Sequence, residues 1–351
     1  MNDTIISTRQ KCILNLISRG NGLLRSQIQE ELEKIDKISK VTLIRDLNIL
    51  LKNQLIKTKG NARSTLYLPY TQNPILRYFD LEVYFQQDPD KRSVVAKHFD
   101  FSIFSSLNHL ITPIELKELK DKSRSFTKQT EKLSSDILKR ELERFVIELS
   151  WKSSKIEGNT YSLLETEALI KEQKEAKGKS KEETVMILNH KSAFDQILNN
   201  KKDFTNLTVF KINQLHNFLV KDMNISTGIR KNAVGITGTV YRPLDNQHQI
   251  REAVDRLIKI INNLASPFEK ALIAHFMIPY IQPYTDGNKR LGRMLTNAIF
   301  LAYDLYPLSY RSVDEDDFKK ALILMYEQKS IYHIKRIFIE QIHFAHENYF
   351  K

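Results

Sequence analysis

The sequence predicts a mainly helical protein built from two units and a connector, and three observations carry that expectation. Long stretches such as EETVMILNHKSAFDQILNN and QIREAVDRLIKIINNLA place apolar residues at helical spacing through the centre and C-terminal half. Near residue 55 the period switches to alternation, and it alternates again in the isolated stretch AVGITGTVYRPL. With 351 residues, 41% of them hydrophobic, the chain is long and apolar enough for two cores of ordinary size. The expected layout is a small unit over residues 1–70, a connector packed on the larger unit over 71–125, and a helical body over 126–351 with one short β-hairpin.

Taken in order, Ile13, Leu14, Leu16 and Ile17 mark a first amphipathic helix. LLRSQIQEELEK gives a second, beginning near Leu24, and SKVTLIRDLNILLKN a third with Ser39 as N-cap. QLIKTKGNARSTLYLPY then alternates, with Leu55 and Lys57 before, and Leu66 and Leu68 after, the basic turn KGNARS. Three helices followed by a hairpin form a winged helix-turn-helix. In that arrangement the third helix enters the major groove of DNA. Ser39, Lys40, Thr42 and Arg45 would face bases or phosphates, while Val41, Ile44, Leu47 and Leu51 pack inward. Lys57, Lys59 and Arg63 would set the hairpin on the DNA backbone. The charge agrees: residues 1–70 hold twelve Lys and Arg against six Asp and Glu, half of the chain's net +12 in a fifth of its length. The segment resembles the winged-helix modules of bacterial repressors of the DeoR type over about 65 residues, through S-x-x-T-x-x-R-D-L at Ser39, Thr42, Arg45, Asp46 and Leu47. A protein-interaction module stays open beside DNA binding, because Asp46 on the third helix repels phosphate.

Residues 71–125 mix aromatic anchors with turns at Pro74 and Pro89 and show no clean period. Beyond them, ILKRELERFVIELSWKSSKIEGN and EKALIAHFMIPYIQPY read as helices, and KEQKEAKGKSKEE as a solvated connection between two others. In Ala233–Leu244, Val234, Ile236, Val240 and Tyr241 surround Thr237-Gly238-Thr239, the pattern of a hairpin. The single cysteine, Cys12, excludes an internal disulfide and a multi-cysteine metal site, and its helical phase places it in a core. No apolar run approaches the roughly 18 residues of a membrane span. The start MNDTIISTRQK is unlike a secretory signal, so a cytoplasmic protein without a membrane partner is expected. Monomer and homodimer both remain open.

The most informative stretch is IQPYTDGNKRLGR, Ile281–Arg293. Asp286-Gly287-Asn288-Lys289-Arg290 sets a flexible backbone beside two cations and an amide, and the loop empties into the N-terminus of a helix, where free amides form an anion site. Arg290 and Arg293 fall on one side of the first turn and can grip phosphates, while Asp286 is a hard oxygen ligand for Mg²⁺. ATP with Mg²⁺ fits this set; taken alone, so does a basic helix cap with a polar turn.

These residues resemble the signature loop of the Fic (Fido) family, H-x-F-x-[DE]-G-N-[GK]-R-x-x-R, which positions 282–293 fill in order. Two further stretches agree with it: SSKIEGN resembles the family's inhibitory [ST]-x-x-x-E-[GN] motif through Ser153, Glu157 and Gly158, and VGITGTVYRP resembles its flap hairpin, centred on Ile236, Thr237, Gly238 and Thr239. The resemblance covers roughly residues 75–350. It implies an all-helical Fic fold and transfer of AMP from ATP to a hydroxyl of a target protein, aligned by the flap. It also implies that Asp286 binds Mg²⁺, that Gly287 and Asn288 face the α-phosphate with Lys289 beside them, and that Arg290 and Arg293 hold the distal phosphates. Glu157 would pair with Arg293 and obstruct the γ-phosphate position, and Tyr284 would anchor the loop. One departure stands out: Gln282 occupies the position of the histidine that serves as general base. A carboxamide takes no proton at neutral pH, so a contribution of about 10²–10⁴-fold is missing at that position. Binding of nucleotide does not need it, which leaves two readings: a slow or altered AMP transferase, and an inactive nucleotide sensor reporting through DNA. His275, two helical turns upstream of Gln282, reads as structural, and His248 just beyond the flap is a weak substitute base.

Overall fold

Two large, separate apolar cores and a small cluster of Tyr161, Leu169 and Ile187 organise the computed structural model, which describes residues 7–350 apart from 19–21, 35–36, 62–63, 71–72 and 124–125. The first core belongs to the N-terminal residues. Helices α1 (Thr8–Ser18), α2 (Arg25–Glu33) and α3 (Lys40–Lys52) surround Ile13, Leu14, Ile17, Ile28, Leu32, Leu43, Leu47 and Leu50. Strands β1 (Leu23–Leu24), β2 (Ile56–Lys59) and β3 (Leu66–Pro69) form an antiparallel sheet in the order β1-β3-β2, with Lys57 opposite Leu68 and Lys59 opposite Leu66. Ser39 caps α3 as expected, accepting from the amide of Thr42.

The inward face of α3 differs from the expectation. Leu43, Asp46, Leu47 and Leu50 are the buried residues, whereas Val41 is 69% exposed, Ile44 is half-buried and Leu51 only flanks the core. Asp46 explains the change: its carboxylate accepts from Arg9 Nε at 2.5 Å and Gln10 Nε2 at 2.8 Å, so an acid lies on the core side with its charge compensated. Ser39, Lys40, Arg45, Lys57 and Lys59 are exposed and Thr42 is half-buried, while Arg63 lies outside the described residues. Cys12 is half-buried against this core.

The connector carries one helical turn, α4 (Leu81–Tyr84), the helix α5 (Pro113–Ser123) and three short 3₁₀ turns, and Ile75, Ile103, Leu107, Leu110, Ile111 and Leu119 join the second, larger core. After α6 (Phe126–Lys132), the long α7 (Ser135–Ile156) leads to α8 (Leu163–Glu172), α9 (Lys181–Asn199), α10 (Val209–Val220) and α11 (Gln247–Asn263). α11 buries Ile250, Ala253, Val254, Leu257 and Ile261, one stripe at helical spacing. At the centre lie α12 (Pro267–Ile281) and α13 (Asn288–Ala302), flanked by α14 (Glu315–Gln328) and α15 (Tyr332–Asn348). α12 is apolar almost all round and buried from Phe268 to Ile281, as a central helix must be. α13 crosses it closely at Gly292: a Cβ there would stand 2.7 Å from the carbonyl oxygen of His275.

Residues 233–244 make the expected turn at Thr237-Gly238, but no strand is assigned to either arm. The alternation is satisfied by another segment. Arg242 pairs in parallel with His98 of the connector, through Arg242 N to Lys97 O at 2.8 Å and Phe99 N to Arg242 O at 3.2 Å. Among the described residues, no helix is long and apolar enough to cross a membrane.

Candidate functional site

α12 ends where the loop begins. Gln282 has φ 52°, so the helix stops in a left-handed residue and the chain turns across its end. The loop closes at Gly287, φ 81°, where an added Cβ would stand 3.0 Å from Val220, and α13 starts without a side-chain cap. The first-turn amides of Asn288, Lys289 and Arg290 therefore have no intrahelical acceptor, the setting in which a helix N-terminus binds an anion.

The Gln282 side chain braces the loop. Its Nε2 donates to Pro279 O at 2.8 Å, and its Oε1 accepts from Asn288 Nδ2 at 2.7 Å. Asn288 Nδ2 also donates to Tyr284 O at 2.8 Å, and its Oδ1 accepts from Tyr284 N at 3.0 Å, so this amide is engaged within the loop while its backbone N–H belongs to the helix end. Tyr284 is buried, stacks on His216 at 3.7 Å and donates to Asn213 Oδ1 at 2.6 Å. His216 Nε2 donates to Asp286 O at 2.9 Å; burial holds its pKa down to about 4, so the ring is neutral. Arg230 ties the loop to the flap: Nε donates to Gln282 O at 2.7 Å, Nη1 to Asn232 O at 2.7 Å, and Nη2 to Leu244 O.

The two arginines part company. Arg290, buried, donates to Leu219 O at 3.0 Å and lies 3.9 Å from Asp286. Arg293, 1% exposed, turns to the end of α7: Nε donates to Ser153 Oγ at 2.9 Å, and Nη2 donates to Ser153 O at 2.9 Å and to Glu157 Oε1 at 2.8 Å. Its Nη1 is buried without a hydrogen-bond partner. Lys289 Nζ stands 3.5 Å from Glu157 Oε2. Burial works to raise the Glu157 pKa, but Arg293 and Lys289 outweigh it and hold the carboxyl below its ordinary value. Gly158 follows, with its N–H donating to Lys155 O at 2.9 Å.

Ser153 is itself oriented. Its Oγ lies 2.8 Å from His190 Nε2, and His190 Nδ1 lies 2.8 Å from Met186 O. The neutral tautomer follows: Nδ1–H donates to the carbonyl, Nε2 accepts from the Ser153 hydroxyl, and that oxygen accepts from Arg293. Burial, helped by the charge of Arg290, holds the His190 pKa down to about 3. His190 and Glu157 act in the same direction on stability. His190 stays neutral in the fold, so the unfolded chain binds more protons once pH drops below the ordinary histidine value of 6.5, and the Glu157 contribution is lost further down, below 4.5. Denaturant midpoints are therefore expected to fall steadily from pH 7 to pH 4, and a flat profile would contradict neutral burial of His190.

Asp286 and its neighbour Thr285 are the exposed residues of the loop. The Asp286 side chain is 70% exposed, Oδ1 accepts from Gly287 N at 2.6 Å, and Oδ2 faces Arg290. A single reachable carboxylate fits Mg²⁺ held mainly by phosphates and water. Of the flap residues, Ile236 is half-buried against the core, Thr237 and Gly238 are exposed, and Thr239 Oγ1 accepts from Tyr241 N at 3.1 Å. His275 is buried beside Thr296 and Tyr310, and burial holds its pKa down to about 3, in keeping with a structural residue. Arg311 donates to Glu148 at 2.9 Å, and Asp314 caps α14. Sequence reasoning missed His190, His216 and Arg230. His216 sits in the apolar phase of α10, a weak signal, whereas a lone arginine in a loop carries none.

The geometry is that of a helical protein whose central helix pair is joined by a tight turn, with Arg293 of the second helix paired to Glu157 at the end of α7. Residues 206–300 match the Fic/DOC family. It is 28% identical over 191 residues to Protein adenylyltransferase Fic of Nematostella vectensis, covering 53% of this chain and 44% of that protein. It is 30% identical over 170 residues to Protein adenylyltransferase Fic of Aedes aegypti, covering 47% and 34%. The chain thus spans less than half the length of these curated relatives. Among solved structures, a Fic domain containing signaling protein from Bacteroides thetaiotaomicron superposes with a TM-score of 0.54 at 21% identity, covering 66% of this chain and 96% of that one. Fic-1 (residues 134–508) from C. elegans gives 0.55 at 19% identity, covering 71% and 73%. At these identities the structures show a shared fold.

Proposed function

We propose that this chain binds ATP with Mg²⁺ at residues 286–293 and transfers AMP to a protein hydroxyl, slowly because of Gln282 and under restraint by Glu157. The observation that carries the reading is the state of Arg293: a buried guanidinium, aimed by Ser153 and neutralised by Glu157, with Nη1 still unpartnered. The names of the relatives, protein adenylyltransferases, supply the reaction class. In that reaction the target oxygen bonds to the α-phosphorus, the bond from that phosphorus to the bridging oxygen breaks, and pyrophosphate leaves. Mg²⁺ near Asp286 would offset phosphate charge. The free amides at the start of α13 and the Gly287 turn would receive the α-phosphate, and Lys289, Arg290 and Arg293 would supply positive charge. Gln282 cannot accept the proton, which goes to solvent or phosphate, and positioning alone sustains the rate. Label transfer from α-phosphate-labelled ATP tests the reading.

A second reading is favoured by one observation in the N-terminal unit: Asp46, the acid that would repel phosphate, is turned inward and paired with Arg9. The exposed Lys40, Arg45, Lys57 and Lys59 then stand without that acid beside them, as a winged helix-turn-helix that binds DNA requires. In this reading the loop senses nucleotide and the N-terminal unit reports it. If these four cations meet about four phosphates, affinity for duplex DNA is expected to fall about a hundredfold between about 50 and 200 mM salt. A mobility-shift series shows this; no complex at low salt would leave the unit as a protein-interaction module.

A further inference from the structure

The flap is held at four places, and two of the holds, at Arg242 and at the turn, come from the connector. Arg230 grips its base, and Tyr241 lies buried beneath it with its hydroxyl donating to Tyr280 O at 2.9 Å. At the turn, Arg92 Nη2 donates to Gly238 O. Its side chain is buried, 3.4 Å from Glu327 Oε1, and the guanidinium lies over the rings of Phe85 at 4.9 Å and Tyr84 at 5.9 Å. Glu327 is equally committed. Tyr84 donates to its Oε2 at 2.8 Å, and its backbone oxygen accepts from Val95 N at 2.9 Å and Ala96 N at 3.0 Å.

A buried ion pair is expensive to maintain and is costly to break from one side. Here it meets a turn that the core touches from below: Ile323 stands under Gly238, and residues 233–237, all described, make no backbone–backbone hydrogen bond. We infer that Arg92 is a positioning residue for the flap, and that the strap from Asp80 to Phe99 joins the N-terminal unit mechanically to it. At its far end the strap takes a hydrogen bond from α1, Asn15 Nδ2 to Asp80 Oδ2 at 3.2 Å, while Asp80 Oδ1 caps α4. At its near end Lys97–Phe99 occupies the Arg242 side of the flap. One guanidinium nitrogen, Nη2, reaches both the Gly238 carbonyl and the Glu327 carboxylate, and the planar group lies over the Phe85 ring, a stacking that a lysine does not reproduce. The inference goes beyond the transfer reading and stands without it, since flap position needs no nucleotide.

Amide hydrogen exchange on the full chain, without nucleotide, tests it. Arg92→Met is expected to speed exchange of the hydrogen-bonded flap amides, those of Tyr241 and Arg242, about tenfold with α12 and α13 unchanged, and Arg92→Lys to recover part of the protection. Glu327→Gln keeps the Tyr84 contact and the volume, and is expected to give a smaller, flap-confined increase. Asn15→Asp sets like charge against Asp80 and is expected to loosen residues 80–92 and the flap together. Unchanged flap exchange in the Arg92 and Glu327 variants, or an equal rise in α12 and α13, would overturn the positioning role. Loosening of 80–92 without the flap in Asn15→Asp would overturn the strap.

Discussion

Glu157→Gly is expected to tighten ATP binding by about ten- to a hundredfold, the equivalent of one charge-assisted hydrogen bond regained by the ligand. In the resting structure Arg293 Nη2 is committed to Glu157 at 2.8 Å, and Lys289 faces the same carboxylate. An incoming triphosphate must displace that carboxylate or do without both cations. Removing it leaves the two bonds from Arg293 to Ser153, so the guanidinium stays aimed while its charge loses its partner. The same loss should destabilise the ligand-free protein by about 3–5 kcal/mol, because a buried cation is left unpaired. ATP should then restore the thermal midpoint more in the variant than in the wild type. AMP, lacking the distal phosphates, should gain much less. Calorimetry with both nucleotides reads the difference, and equal affinities of wild type and variant for ATP would show that Glu157 does not guard the site.

Most of this site is legible in the chain because its parts are local. Asp286-Gly287-Asn288 announces a turn, and the helix that follows announces the anion site, all within a dozen residues. The partners of that loop are distant in sequence, and only family resemblance links Glu157 to Arg293 beforehand. Where resemblance is silent, reading fails for physical reasons. In α3, VTLIRDLNILL offers two overlapping apolar stripes, and an aspartate on one of them argues for the other. Only Arg9 and Gln10, on another helix, let Asp46 face inward and decide the phase. The flap teaches the same lesson. Its alternation is present, but the segment that answers it is Lys97–Phe99, far upstream, and a local pattern cannot name a distant partner. His190 is the extreme case, since a histidine in a helix gives no hint that it turns a serine towards an arginine.

Gln282→His, placed in the Glu157→Gly background, is expected to raise AMP transfer by about 10²–10⁴-fold over Glu157→Gly alone, the usual worth of a general base. The loop has the room for this test to be interpretable. Gln282 is held by its backbone as well as its side chain, through Arg230 to its carbonyl oxygen and its own N–H to Ile278 O at 3.0 Å. Loss of the carboxamide brace to Asn288 therefore leaves the backbone path in place, and Asn288 keeps both of its bonds to Tyr284. The two readings part on the single variant. Slow labelling by Glu157→Gly with Gln282 intact, above the wild-type background, is the expected result for a transferase that works by positioning alone. Labelling that appears only with the histidine, alongside undiminished ATP binding in its absence, would mean that the site has kept recognition and given up chemistry. The natural output would then have to lie elsewhere in the chain, and the exposed cations of the N-terminal unit are where the structure offers one.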